Sequence, residues 1–144
     1  MKTLFLLPIL SLSLLSTCCW GVDWDDLVER DYIYYKKFTE TPFTGKVSGK
    51  KQGKMKDGIL EGEWVNYFEN GQFRYQGSYK NGLREGEWIF YHDNGQLYGK
   101  GSYKSGKKEG EWVDYRKDGT VDSERSGTFK NGERVSEKNN SEME

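Results

Sequence analysis

From residue 53 onward the sequence repeats itself every 24 residues, and that period narrows the choice of fold more than any other feature. Gly53-Lys-Met-Lys-Asp-Gly58, Gly77-Ser-Tyr-Lys-Asn-Gly82, Gly101-Ser-Tyr-Lys-Ser-Gly106 and Gly127-Thr-Phe-Lys-Asn-Gly132 start 24, 24 and 26 residues apart. Between them recur Gly62-Glu-Trp-Val-Asn-Tyr67, Gly86-Glu-Trp-Ile-Phe-Tyr91 and Gly110-Glu-Trp-Val-Asp-Tyr115. A fixed period of this length marks stacked supersecondary units that complete one another's buried face.

Each unit reads as strand, tight turn, strand, longer turn. Asn70-Gly71, Asn94-Gly95 and Asp118-Gly119 sit between alternating segments. Such dipeptides favour two-residue type I′ hairpins, because both central residues need positive φ. With Asn70-Gly71 as a two-residue loop, Phe68 opposes Phe73, Trp64 opposes Gly77 and Gly62 opposes Tyr79. In the next unit Trp88 opposes Gly101 and Gly86 opposes Tyr103. Large rings thus fall opposite glycine, where a ring covers a bare backbone. The third unit carries two extra residues before Gly127, so a bulge within Asp122 to Ser126 is needed to set Trp112 opposite Gly127. The expected fold is all-β: an antiparallel hairpin-repeat meander forming one elongated sheet.

The repeat core is then Trp64, Gly77, Tyr79, Trp88, Gly101, Tyr103, Trp112 and Gly127. Alternation puts Glu63, Val65 and Tyr67, with their equivalents one and two periods on, on the opposite face. Arg74, Gln76 and Ser78, and Tyr98, Lys100 and Ser102, are expected across from them. The composition agrees with a thin sheet. The 144 residues include 22 aromatics and 18 glycines but are only 34% hydrophobic. A large aliphatic core and a deep catalytic pocket are both excluded.

The flanks lie outside the period. Lys2 precedes an apolar run from Leu4 to Leu15, followed by Ser16, Thr17, Cys18 and Cys19. That order is a secretory signal peptide, residues 1–21, too short to span a bilayer. Leu15-Ser16-Thr17-Cys18 resembles a bacterial lipobox, which would lipidate Cys18. Thr17 departs from its usual small residue, and ordinary cleavage after Gly21 is the competing route. Export to the periplasm or cell surface follows from either. Residues 22–42 read as an N-terminal cap whose Leu27-Val28 and Ile33-Tyr34-Tyr35 could cover the open edge of the first repeat. The repeats occupy 43–135, and 136–144 read as a disordered polar tail.

The Gly-x-Tyr-Lys-Asn-Gly, Gly-x-Trp-x-x-Tyr and Asn-Gly elements resemble MORN repeats, most of all the bacterial MORN repeat variant group often labelled YwqK-type antitoxin. The stretch with Tyr34-Tyr35-Lys36-Lys37 and Pro42-Phe43-Thr44-Gly45 is similar to a leader of exported members, which often carry Gly where this chain has Tyr32. The resemblance implies a scaffold, a lipid-contacting module or a toxin-neutralising partner, and it brings no catalytic residues.

The residues themselves point to binding without catalysis. His92, the sole histidine, lies at a strand end before a turn with no nucleophile in its motif. Glu63, Glu87 and Glu111 recur as a solubilising, edge-protecting ladder, the alternative being a glycoside hydrolase using that row. No metal-ligand or phosphate-loop spacing occurs, and no cofactor is expected. Lys+Arg 22 against Asp+Glu 23 supplies no field for nucleic acid. Tyr67, Tyr91 and Tyr115 form a candidate binding row, ~9.5 Å apart from the strand spacing. They could receive a protein or a glycan, or serve only as cross-strand packing. The expected function is an exported, non-enzymatic binding or scaffold module. The alternatives are a toxin-neutralising immunity protein and a membrane-associated lipoprotein, the membrane entering only through a lipidated Cys18 or the sheet itself.

Overall fold

The computed structural model describes residues 21–137. Most of the leader, including Cys18, and residues 138–144 lie outside the described residues. The strands are β1 (Val22–Asp23), β2 (Leu27–Arg30), β3 (Ile33–Lys36), β4 (Gly45–Ser48), β5 (Lys51–Lys56) and β6 (Ile59–Tyr67). They continue with β7 (Phe73–Lys80), β8 (Leu83–Tyr91), β9 (Leu97–Lys104), β10 (Lys107–Asp114), β11 (Gly127–Lys130) and β12 (Glu133–Glu137). β12 carries regular structure two residues into the segment expected to be a disordered tail. Ten strands form one open sheet in the order β1-β4-β5-β6-β7-β8-β9-β10-β11-β12. Every neighbouring pair in it is antiparallel except β1 with β4.

The register in mid-unit is the expected one: Trp64 pairs with Gly77, Gly62 with Tyr79, Trp88 with Gly101 and Gly86 with Tyr103. The turns are exchanged. At Asn70-Gly71 the N–H of Gly71 donates to Phe68 O at 2.9 Å, and only Gly71 has positive φ (+81°). This is a type I turn closed by a glycine bulge. It slips the register by one, so Tyr67 pairs with Phe73 rather than Phe68 doing so. In the next unit Tyr91 pairs with Leu97. Phe73 and Leu97, not Arg74 and Tyr98, therefore oppose the tyrosines. Within the repeats, the two-residue turns with two positive φ values are the links between units, Asp57-Gly58, Asn81-Gly82, Ser105-Gly106 and Asn131-Gly132.

The tryptophans do not lie over the glycines first assigned to them. An added Cβ would stand 2.3 Å from the Trp64 ring at Gly53, from Trp88 at Gly77, and from Trp112 at Gly101. Each ring thus leans onto the preceding strand. A bulge turns it there: Gly86 and Glu87 together stand against the single step from Gly77 to Ser78, and Gly86 has φ +70°. Beside the bulge the Trp88 indole N–H donates to Ser78 O at 3.1 Å. Trp64 does the same to Lys54 O and Trp112 to Ser102 O. Gly127 pairs with Trp112, but a Cβ there would strike Ser136 O of β12, so close strand approach requires this glycine.

Tyr79 and Tyr103 fill the gaps between indoles. Tyr79 stands edge-on to Trp64 and Trp88, with centroids 6.3 and 5.0 Å away. Tyr103 does so to Trp88 and Trp112, at 6.0 and 5.0 Å. The Arg84 guanidinium lies 4.6 Å from the Trp88 centroid and donates to the Tyr103 hydroxyl. Trp64, Trp88 and Trp112 are 2%, 0% and 1% exposed.

The first unit has Met55 at the place of Tyr79 and lacks that ring. The cap replaces it: Trp24 stands edge-on to Trp64 at 6.0 Å, and Leu27 and Tyr34 pack on the Val47, Met55 and Trp64 cluster. The β2–β3 hairpin therefore lies over the tryptophan face instead of covering the sheet edge, and β1 takes that edge. At the other end the two extra residues loop out as expected. Ser126 N donates to Asp122 O at 2.9 Å, and Gly127 returns opposite Trp112.

Candidate binding surfaces

The Glu and Asn side chains tie each unit to the next and make the sheet one body. Glu61, Glu85 and Glu109 accept from the backbone N–H of Asn81, Ser105 and Asn131 at 2.8–2.9 Å. These glutamates, two residues before the ones first singled out, have a fixed structural task. Sequence reasoning missed them although they recur at the same period. At the opposite turns Asn70 donates to Asp93 O, and Lys117 pairs with Asp93 at 2.7 Å.

His92 is one of these links: its Nε2 lies 3.0 Å from Tyr115 O and its ring stands edge-on to Tyr98. An imidazole engaged with a carbonyl through Nε2 is oriented for holding two units together. Glu63 and Glu87 face Ser78 and Ser102 across the strands, on an open face. Among the described residues no group of three or more His, Cys, Asp or Glu side chains is placed to hold a metal ion.

The reverse face is the first candidate surface. Tyr67 and Tyr91 flank Phe73, with centroids 5.1 and 6.0 Å away. The tyrosine row is thus continuous with its cross-strand partners. Phe73 is 46% exposed, and Tyr67, Tyr91 and Tyr115 are half-buried. Above them Val65, Ile89 and Val113 floor two shallow grooves, of about 640 Å³ between Glu63 and Ile89 and about 360 Å³ between Glu87 and Val113. Glu63, Val65 and Ser78 in the first groove recur one period on as Glu87, Ile89 and Ser102 in the second, so the grooves share the period of the sequence.

A second surface has no signal in the repeat pattern. Between the cap hairpin and the tryptophan face lies a cleft of about 270 Å³ walled by Trp24, Tyr34, Tyr75 and Tyr79. Burial, with the Glu29 carboxylate accepting from its hydroxyl, holds the Tyr34 phenol well above its ordinary pKa. Burial likewise raises Tyr75, and Tyr79 adds to it. Burial lowers the Lys51 ammonium, which lies 3.8 Å from the Trp24 centroid, and Arg74 adds to that. The aromatic content of residues 22–42 was a hint, but it gave no position for the hairpin.

At the C-terminal end burial raises Asp114, set against Gly99, above the usual carboxylate range, with Lys108 and Arg125 opposing the shift. Ser126, fully buried, accepts from Asp114 N and donates to Asp122 O. Asp122 pairs with Arg125 at 2.9 Å.

No curated protein matches the chain. Over its two central units, residues 60–81 and 84–105, the chain is similar to the repeat described as MORN repeat variant, whose family model matches both stretches.

Proposed function

We propose that this protein is an exported, non-catalytic scaffold that receives a protein or glycan partner on the reverse face of its sheet. MORN-variant repeats are non-catalytic modules associated with binding and scaffolding. The observation that carries the reading is the unequal treatment of the two faces. Trp64, Trp88 and Trp112 are enclosed on one face, whereas on the other Phe73 is exposed and Tyr67 and Tyr91 stand half-buried beside it, next to two shallow grooves. A rigid face of repeated rings and carboxylates suits an extended partner more than a small substrate. Export rests on the Leu4 to Leu15 segment and Cys18, so a mature N-terminus at Val22 or a lipid on Cys18 distinguishes the two routes.

The test is affinity capture with the C-terminally tagged full chain, from extract and on peptidoglycan. Capture should fall about tenfold in Phe73→Ser/Tyr91→Ala, as for loss of central aromatic contacts. Capture that ignores this substitution rejects the face. One dominant captured protein supports the toxin-neutralising form of the reading, and retention on peptidoglycan supports the glycan form.

A further inference from the structure

The turn that joins β2 to β3 is built unlike the links between units. Those links place Gly58, Gly82, Gly106 and Gly132 in the second left-handed position. Here that position is Tyr32, at φ +64°, after Asp31 at +51°. A bulky residue in this region is strained by its own Cβ. Tyr32 is 89% exposed, so packing does not offset the strain. Strain held at an exposed ring is the pattern of a functional position.

Tyr32 stands at the rim of the cap cleft. Tyr34, Tyr75 and Tyr79 line the cleft together with Trp24, whose ring carries the Lys51 ammonium over it, and Ile59 and Leu60 add aliphatic surface. The two charged residues of the lining, Glu29 and Lys51, cancel. Arg74 acts on Lys51 but sits over the Phe68 ring, 5.6 Å from its centroid, outside the lining. A free cation entering the cleft meets Lys51 and a free anion meets Glu29. A neutral ligand with apolar faces and polar edges satisfies both. The volume of about 270 Å³ is just below the roughly 300 Å³ at which drug-sized pockets begin, which suits one ring and no polymer.

We propose that the cap cleft binds a single neutral sugar ring, stacked against its aromatic walls with hydroxyls on Glu29 and Lys51, and that Tyr32 is the rim ring that closes on it. This rests on the binding-module reading and adds a contact apart from the reverse face. The capture experiment reads that face and the titration below reads the cleft, so either can fail alone.

The full chain is titrated with N-acetylglucosamine and glucose, and with glucuronate as an anionic comparator, followed by tryptophan fluorescence and saturation-transfer NMR. Saturable millimolar binding of the neutral sugars is expected, with glucuronate weaker. Tyr32→Gly should raise the thermal midpoint, because glycine accepts the left-handed backbone, and weaken the sugar about five- to tenfold through the lost ring contact. Stability and binding moving in opposite directions is a result that a purely structural Tyr32 does not give. Ile59→Trp, which fills the floor, should abolish the signal. The proposal is overturned by unchanged affinity in Tyr32→Gly, by glucuronate binding as tightly as the neutral sugars, or by no saturable signal in the native chain.

Discussion

The two faces of the repeat sheet share every strand yet bury their rings by different means. On one face Trp88 is fully enclosed by Tyr75, Tyr79, Phe90, Tyr103 and Arg84 of its own sheet. It needs no second layer because it lies flat on Gly77 and its N–H is satisfied by Ser78 O. On the other face Tyr67, Phe73 and Tyr91 stand in file, with side chains and not glycines across from them, and stay partly exposed. A single sheet can therefore make a dry core where ring and glycine alternate, and leaves its rings available where they do not. Trp88→Ala tests the difference most severely. It opens a cavity and orphans the Ser78 carbonyl, so the loss should be about 3–5 kcal/mol, with the thermal midpoint falling steeply. Tyr91→Ala should cost under about 1 kcal/mol, as at partly exposed positions. Equal effects in thermal unfolding would erase the distinction between core and open face.

The glycines sharpen the same comparison. Gly77→Ala inserts a Cβ 2.3 Å from the Trp88 ring, so the indole must lift off the sheet, at about 1–3 kcal/mol. Gly86→Ala meets nothing within 4 Å, and its cost comes only from φ +70°, roughly 1 kcal/mol. Near-ultraviolet circular dichroism separates the two. The tryptophan signal should change in Gly77→Ala and persist in Gly86→Ala. A retained signal in both would mean that the ring does not depend on the bare backbone beneath it.

The repeat, the sheet and the mid-unit register were legible because ring-and-glycine pairing is written at fixed spacing. Turn type was not. Asn-Gly occurs both at Asn70-Gly71, where only glycine is left-handed, and at Asn81-Gly82, where both residues are. The dipeptide cannot say which; the number of residues that the flanking strands keep in register decides it. The lean of each indole was hidden for a related reason. Each of Trp64, Trp88 and Trp112 has a glycine on each side of it, and the bulges at Gly62, Gly86 and Gly110 choose between them. Of the candidate surfaces, the tyrosine row could be read from alternation. The cap cleft could not, because residues 22–42 have no repeat to set their place. Met55 standing where later units have tyrosine was the available sign that the first tryptophan needs a ring from elsewhere.

Asp114 shows what the enclosed face demands of a charge, and its effect is small. Asn66 occupies the same place two periods earlier and is as deeply buried. Burial is the leading cause of the raised Asp114 pKa, and Lys108 and Arg125 offset it only in part. A carboxyl with a folded pKa above its unfolded one stabilises the fold fully below the unfolded value. That contribution is lost as pH rises through the folded value. At neutral pH the sheet therefore holds a carboxylate that it would bind better protonated. Asp114→Asn removes the desolvated charge and keeps the shape. It should stabilise the protein by about 1 kcal/mol at pH 7 and by much less near pH 3, where the native residue is already neutral. Chemical denaturation of both proteins from pH 3 to 7 measures it. A difference that shrinks or reverses as pH rises would mean that Lys108 and Arg125 outweigh burial, and that this face accepts a charge as readily as the open one.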